Sequence, residues 1–412
     1  MSLGTGARNW RNNERAFPHY PNTRRRIFRE RPLCRSLIAP GIDCRCVAGP
    51  LRRGRISEPA SIQLFVALCV RIFLHALRGL LFLDNRASCH HADWSVVVRR
   101  QLENLAVLLV VLAILFVPIL LLRRHLYSWM DIPPGVEHSL DAKRAYLNWS
   151  FFLVRAIVFL GFFLCAALVL RRLSVKQDKD GNPRFTILMR KVAFISLPMF
   201  ALCLTFGAFD WLMSLNYRWF STMFGVYIFA GAAGSSMSLL VLVITALRRA
   251  GYLKDIITLE HYHIMGKWML AFCIFWAYIG FGQYMLIWYA NIPEETQFFI
   301  TRNTESWWAL SMLLVVGRFF VCFGILLLQS IKKEPRNLCW VAGWILFMQL
   351  LDMYIIVLPA LHGTGVHVSI WDLLSPIAIG ATLGFVYLRI VARTSLFPVR
   401  DPRLIESLNL VN

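Results

Sequence analysis

Charged side chains are scarce in this chain: they make up 16% of its 412 residues, whereas hydrophobic residues make up 58%. Soluble domains average about 25% charged and about 45–50% apolar residues, so the composition excludes an ordinary water-soluble globule. Acidic residues are the rarer kind, 23 against 44 Lys and Arg, which leaves a formal charge of +21. About half of this excess, +10, lies in residues 1–93, and we attribute the other half to the excess of basic residues in cytoplasmic loops of a membrane protein; we expect no bound nucleic acid.

The motifs that hold redox cofactors are also missing. There is no Cys-x-x-Cys-His sequence for covalent haem, and Cys44 and Cys46, with one residue between them, do not replace it. The long apolar runs contain no His for axial haem ligation, and their cysteines are single and scattered, unlike an iron–sulfur site. No phosphate-binding glycine loop is present. We therefore predict no metal, no covalently bound cofactor and no catalytic residue in the chain itself.

Lysine is absent from residues 1–93, which hold 16 Arg, six acidic residues and five of the ten Cys. Within them, residues 60–83 form a doubtful apolar helix that carries Arg71, His75 and Arg78 on one face. We hypothesise that this atypical segment, to about residue 60 or 90, comes from a shifted reading frame or a miscalled start. A genuine basic tail and a transit-like presequence are the alternatives, and reading the other frames of the gene separates them.

Residues 94–392 are a succession of long apolar runs joined by short polar loops. About 20 apolar residues in a helix cross a bilayer core of about 30 Å. Eight runs reach that length, near residues 104–122, 148–170, 190–215, 222–247, 267–289, 306–331, 337–360 and 371–392. The prediction is an all-α integral membrane protein, a polytopic bundle of at least eight transmembrane helices, followed by a tail at 393–412.

The basic residues of the loops predict the orientation. One alternating set of loops, together with the tail, contains 18 Lys and Arg, whereas the opposite set contains six. Positively charged loops remain in the cytoplasm, so we place the C-terminus there and the protein in the inner membrane of a bacterium.

An ordered set of features recurs with an offset of four helices. The first and fifth runs end in aromatic residues followed by Ile-Pro; the next run in each case begins with Trp and contains an Arg; the third contains an Asp. An even offset keeps both copies in one orientation, which predicts two parallel four-helix repeats. The intramembrane charges of these repeats are Arg155 with Asp210, and Arg318 with Asp352.

These four charges have two interpretations. A charge at a helix centre costs about 2.5–3.5 kcal/mol, so such residues are usually paired inside the bundle. The pairs could simply fix helix packing, or they could form a protonatable path through the membrane. At the predicted cytoplasmic end of the fifth helix, a polar cluster is a candidate entrance for protons or an ordinary interfacial loop: Glu260, His261, His263 and Lys267. At the opposite end, Gln283, Tyr284 and Trp288 suit either an aromatic belt or a quinone pocket.

Three long strings resemble the F-type membrane component of bacterial alternative complex III, a quinol:electron-acceptor oxidoreductase. They are FDWLMSL from Phe209 with WFSTMFGVY from Trp219, then QYMLIWYANIPEET from Gln283, and FPVRDPRLIES from Phe397. The match continues from about Trp94 to the C-terminus, and the preceding residues depart from the family pattern.

The resemblance implies a membrane subunit of the polysulfide-reductase type, with ten helices in the family and two four-helix bundles. Its implied partners are a paralogous membrane subunit, a multihaem cytochrome c, an iron–sulfur subunit and membrane lipid. It implies quinone, either menaquinone or ubiquinone, as a ligand, and proton conduction by Asp210 and Asp352 with Arg155 and Arg318 as partners. A stand-alone secondary transporter and a structural scaffold for the quinol-oxidising paralogue remain the alternative functions.

Overall fold

The computed structural model describes residue 82 and residues 93–121, 123–303, 305–360, 366 and 370–410. Within this part of the chain, eight helices are long and apolar enough to cross a membrane. This confirms the predicted polytopic helical bundle. We number these helices α1–α8: Val96–Leu121, Trp149–Asp180, Arg184–Asn216, Phe224–Arg249, Leu259–Ala290, Ser306–Leu327, Pro335–Ala360 and Ile370–Val391.

The sequences at the helix ends explain several boundaries. Asn148 caps α2 by accepting a hydrogen bond from the backbone N–H of Phe151 at 2.9 Å, and Gly181 ends that helix at a positive φ of 67°. Thr258 and His261 form a reciprocal cap at the start of α5. Asn291 ends α5 in the left-handed region, at φ 49°.

Helix α1 begins at Val96, eight residues before the apolar run that predicts it. After three valines, its early turns contain polar side chains that are nonetheless buried, because they bind one another and other parts of the chain. Arg99 contacts Asp401 of the C-terminal segment at 2.6 Å and Glu103 at 3.2 Å, and Arg100 contacts Asp178 at the end of α2. The segment predicted as a tail therefore docks on the start of α1.

Helix α4 lies at the centre of the bundle. In its most apolar stretch of 18 residues 78% is buried, the largest fraction among the eight helices. It packs against α3, α5 and α7. Small residues fill residues 230–236, and Ser235 and Ser236 donate to carbonyls one turn earlier in the same helix, at 2.7 and 2.6 Å. These serines are thereby satisfied within α4, which lets neighbouring backbones approach closely.

Helix contacts do not separate the two predicted repeats, α1–α4 and α5–α8, which stay a prediction. Helices α1, α2 and α3 pack in sequence with one another, whereas α4 packs against α5 and α7 as well as α3. Helix α6 packs against α5 and α7, and α8 packs against α1. The ring of Phe82 contacts Phe229 of α4, with centroids 4.8 Å apart, and Phe200 of α3 at 6.0 Å.

The hypothesis of a shifted reading frame concerns residues that lie outside the described part of the chain, apart from Phe82 and Asp93. Most of the doubtful helix at 60–83, including Arg71, His75 and Arg78, lies there as well. Both stay predictions.

Candidate functional site

The first intramembrane pair joins α2 to α3. Arg155 donates from Nε to Asp210 Oδ2 at 2.6 Å and from Nη2 to Oδ1 at 3.0 Å, a two-point contact that occupies both carboxylate oxygens. The third guanidinium nitrogen donates to the carbonyl of Tyr146 at 3.0 Å, and the ring of Tyr146 covers the guanidinium at 3.8 Å. Asp210 has no exposed surface. This pair is closed off from its surroundings.

The loop between α1 and α2, which we call the outer loop after its predicted side, covers the first pair through the ring of Tyr146. Lys143 donates to the carbonyl of Tyr217 at 2.8 Å, and Glu137 accepts from Arg218 Nε at 2.7 Å and from the Tyr217 hydroxyl at 2.5 Å. These hydrogen bonds, from Arg218 first and then Tyr217, lower the pKa of Glu137 from 4.5 to about 2. The loop is thus fastened to the α3–α4 connection by a carboxylate that is ionised at neutral pH.

The second pair joins α6 to α7 and has a different geometry. Arg318 donates from Nη1 to Asp352 Oδ2 at 2.7 Å, while its Nη2 donates to Gln349 Oε1 at 2.5 Å. The guanidinium lies 4.2 Å from the ring centroid of Trp276, a cation–π contact. Arg318 therefore contacts only one oxygen of the carboxylate, whereas Arg155 contacts both oxygens of its own.

Two further donors hold Asp352. The Tyr227 hydroxyl in α4 donates to Oδ1 at 2.5 Å, and the Trp276 indole in α5 donates to Oδ2 at 3.1 Å. Donors from three helices thus converge on a carboxylate of α7 that is 1% exposed. Pairing each Arg with the Asp of its own repeat was predicted from sequence; the Tyr and Trp donors were not.

The backbone around Arg318 is a π-helix over Val315–Val321. Such segments are rare and occur frequently at functional sites. Side chains of neighbouring helices donate to backbone carbonyls in this π-helix. The Trp344 indole donates to the carbonyl of Gly317 at 2.8 Å, and the Cys273 thiol donates to the carbonyl of Arg318 at 3.2 Å. Arg155 lies in an uninterrupted α-helix. The two repeats therefore differ in backbone as well as in ion-pair geometry.

A cavity of about 800 Å³ lies against this second pair. Its walls come from α4, α5, α6, α7 and the short helix Pro293–Arg302, and they are mostly apolar and aromatic. Asp352 and Tyr227 form part of the wall. The rim includes side chains that are more than half exposed, among them Tyr278, Phe281 and Phe320. The cavity therefore reaches from the protein surface to the buried carboxylate.

The structure places two of the three candidate quinone-contacting residues in the cavity wall and the third outside it. Gln283 and Tyr284 line the cavity, whereas Trp288 does not line it and is 68% exposed. Gln283 is 9% exposed, and its Nε2 has no hydrogen-bond partner among the described residues. A buried amide donor without a partner is costly, so this nitrogen marks a position where an acceptor of a bound molecule would fit.

Arg302 is a polar residue of the cavity wall that the sequence did not single out. It is 7% exposed and ends the short helix Pro293–Arg302. Its guanidinium donates to the carbonyls of Ile355 at 3.0 Å and Ile356 at 2.8 Å, and to Phe298 at 2.7 Å. The side chain thereby stabilises the end of α7. Because it lies between two spans rather than within one, no apolar run drew attention to its charge.

The four predicted proton-entrance residues lie in the first three turns of α5. Glu260 forms an ion pair with Lys333 at 2.6 Å. His261 is fully buried and binds Thr258 through Nδ1 at 2.8 Å, a helix-capping contact. His263 is buried, and Lys267 is exposed. Glu260 thus forms an ion pair with Lys333, and His261 caps the start of α5.

The structure does not bring this group to Asp352. Trp276, which contacts Asp352, follows Lys267 by nine residues, or about 13 Å of helix. The buried side chains of α5 in between are apolar or weakly polar, namely Met269, Phe272 and Cys273. They line a void of about 10 Å³ beside Arg318. A proton route from the cytoplasmic end to Asp352 stays a prediction.

Within the described residues, no group of three or more His, Cys, Asp or Glu side chains could hold a metal ion. Comparison with protein-family models gives no match, and comparison with curated proteins gives none. The inference of function therefore rests on the sequence resemblance and on the geometry of the cavity and the two Arg–Asp pairs.

Proposed function

We propose that the chain is a quinone-associated, proton-exchanging membrane subunit of a respiratory quinol:electron-acceptor oxidoreductase of the alternative complex III type. The observation that carries this proposal is one cavity that borders both the unpaired amide of Gln283 and the carboxylate of Asp352. The family assignment rests on the motifs that begin at Phe209, Gln283 and Phe397.

The cavity suits a quinone head group in size and chemistry. Binding pockets for small molecules are typically about 300–1,000 Å³, mainly apolar, with a few placed polar groups. Here the aromatic walls offer surfaces for ring stacking. The Gln283 amide offers a donor for a carbonyl oxygen. An isoprenoid tail would leave through the rim, where Tyr278 and Phe281 are exposed.

Asp352 is the residue we assign to proton exchange. A bound quinone supplies chemistry in which two electrons are accompanied by protons. Asp352 lies on the cavity wall beside the Tyr227 hydroxyl, so a proton can pass between the ligand position and the carboxylate. Arg318, held by Gln349 and by the face of Trp276, stays in place to balance the charge.

We interpret the pair of Arg155 and Asp210 as a structural contact that fixes helix packing. Arg155 occupies both oxygens of Asp210, the outer loop covers the pair, and Asp210 is absent from the cavity wall. Removing one partner of a buried ion pair costs about 3–5 kcal/mol, because the other charge is left buried and unpaired, so substitution of either residue would disturb the α2–α3 contact. The two repeats thus have different roles in our proposal.

The partners and location belong to the same proposal. The resemblance supports assembly with a paralogous membrane subunit, a multihaem cytochrome c and an iron–sulfur subunit, in the bacterial inner membrane and in contact with membrane lipid. The excess of basic residues in alternate loops supports a cytoplasmic C-terminus.

Photolabelling with an azido-quinone tests the cavity directly. The complex would be labelled in membranes, digested and mapped. We expect the label on the cavity-lining segments of α5 or α6, at least tenfold less label in Gln283→Leu, and unchanged labelling in Trp288→Leu, since Trp288 lies outside the cavity wall.

Equal labelling of the two variants would contradict the quinone site. Purification of the chain without haem-bearing partners, together with substrate uptake by vesicles that contain the chain alone, would instead favour the secondary transporter. Unlabelled chain in an active complex would favour the scaffold.

A further inference from the structure

A basic cluster lies where the start of α5 meets the connection between α6 and α7. His263 and Lys267 follow Glu260 by three and seven residues, which places all three on one face of α5. Helix α5 packs there against the short helix Gln329–Lys333. That helix contributes Lys332 and Lys333, so four basic side chains accompany one acidic side chain.

Lys332 is the unusual member of this cluster. It is 7% exposed, and it forms no ion pair with any described residue; its Nζ donates only to the Leu327 carbonyl, at 3.5 Å. Gly266 makes this burial possible, because a Cβ there would lie 2.7 Å from Lys332 Cγ. Burial, and then the charge of Lys267, lower the pKa of Lys332. The fold therefore holds a cation in a place where no described residue supplies a counter-charge.

His263 provides a second, independent observation. It is 9% exposed, and its Nδ1 has no hydrogen-bond partner among the described residues. Glu260, the acidic residue of the cluster, is engaged by Lys333, and the carboxylate of Glu334 faces the backbone N–H of Arg336. Neither acid neutralises Lys332. An unpaired lysine and an unpaired imidazole nitrogen in one cluster are suited to an anion with several oxygen acceptors.

The surroundings of the cluster indicate the source of that anion. Lys332 follows α6 by five residues, so the cluster lies at the level where a transmembrane helix ends. Leu327, the last residue of α6, and Leu328, which follows it, are 54% and 56% exposed. Basic pockets between transmembrane helices bind phosphate head groups, and the exposed leucines offer an apolar surface for the attached acyl chains.

We propose that His263, Lys267 and Lys332 form a binding site for the phosphate group of an anionic phospholipid, whose acyl chains lie along the end of α6. Lys333, already paired with Glu260, completes the positive rim. The site is separate from the cavity at Asp352 and requires no redox reaction. It would fasten the α6–α7 connection to α5 and thereby support the helix that contains Arg318.

Lipid titration of the purified full chain in detergent tests this site. The probes are phosphatidylglycerol, phosphatidylcholine and inorganic phosphate, and the readouts are the bound mass by native mass spectrometry and the midpoint of thermal unfolding. We expect phosphatidylglycerol to bind and raise the midpoint. The other two probes should do so only at concentrations more than tenfold higher.

Variants locate the binding. Each Lys near the surface contributes to attraction of an anionic lipid by a factor of about five. Lys332→Gln and Lys267→Gln should each weaken phosphatidylglycerol binding by about this factor. Lys176→Gln, an exposed lysine of α2, should leave binding unchanged. Lys267 is exposed, so its substitution tests the site even if Lys332→Gln disturbs folding.

Two results would overturn the proposal. Equal binding of phosphatidylcholine would show that the charge of the lipid is not recognised. Equal binding of inorganic phosphate would assign the site to a free anion. Since none of these readouts involves quinone, failure here leaves the proposed function standing.

Discussion

The hydroxyl of Tyr227 in α4 lies 2.5 Å from a carboxylate oxygen of Asp352 in α7. This hydrogen bond joins two helices separated by more than a hundred residues, and it connects α4, the last helix of the first predicted repeat, to α7 in the second. Both residues also form the wall of the large cavity. The contact therefore links helix packing to the place where we propose that protons are exchanged.

Tyr227→Phe removes one donor from Asp352 and keeps the aromatic ring. We expect the free energy of unfolding in detergent to fall by about 1.5–3 kcal/mol, because a hydrogen bond to a charged group is lost. Tyr289→Phe, at a position that is 85% exposed, is the matched control and should change it by less than about 0.5 kcal/mol. Similar losses in the two variants would show that the Tyr227 hydroxyl does not hold Asp352.

Gly231→Ala tests the close approach of α4 to the second pair. A Cβ at Gly231 would lie 2.8 Å from Gln349 Oε1 and 3.2 Å from Arg318 Nη2, so the network must shift. We expect a loss of about 1–3 kcal/mol in the free energy of unfolding. In Gly282→Ala nothing lies within 4 Å of the added atom, and the higher helix propensity of Ala should leave stability unchanged or raised. Equal effects would contradict the described packing.

The outer loop should loosen in acid because of Glu137. Its pKa is about 2 in the folded protein and 4.5 without its partners, so the stabilisation is present above about pH 4.5 and is lost as the pH falls toward 2. Hydrogen exchange of residues 137–147, compared with Glu137→Gln at each pH, isolates this effect. The wild-type loop should be better protected at pH 6, and the difference should vanish near pH 2. A difference in hydrogen exchange between the wild type and Glu137→Gln that stays constant with pH would show that ionisation of Glu137 does not hold the loop.

Asp401→Asn should release the C-terminal segment. The charges of Arg99 and Arg403 outweigh burial and lower the pKa of Asp401, so the carboxylate is ionised and contacts Arg99 in the folded state. Its loss removes one counter-charge of the buried Arg99, at a cost of about 3 kcal/mol. Proteolysis of the segment after residue 393 should accelerate. Asp255→Asn, an exposed control, should behave as wild type; equal resistance of both variants would contradict the docking.

Much of the fold is encoded in local composition. Because a membrane span needs about 20 apolar residues wherever it lies, the eight helices follow from the runs alone. The recurrence of Arg and Asp predicted which charges would meet, since buried charges require partners. The start of α1 was missed for the opposite reason: Arg99 and Glu103 make its first turns polar, and only contacts with distant segments bury them.

The cavity and the basic cluster depend on relationships that no single stretch of sequence shows. The cavity is bounded by four spanning helices and the short helix that ends in Arg302, and the π-helix at Arg318 changes which side chains face it. Likewise, the cluster around His263 becomes an anion site only because Lys332, far along the chain, packs on Gly266. Gln283 was chosen for its position near a helix end, and its unpaired amide appears only in the structure.

The number of protons translocated per electron, measured in proteoliposomes with the assembled complex, tests the central claim most directly. Asp352→Asn and Asp210→Asn form a matched pair, because each removes one buried carboxylate that faces an Arg. We predict that an assembled Asp352→Asn complex translocates fewer protons per electron, whereas an assembled Asp210→Asn complex keeps the wild-type ratio and unfolds at a lower temperature. An unchanged ratio in an assembled Asp352→Asn complex would contradict the account.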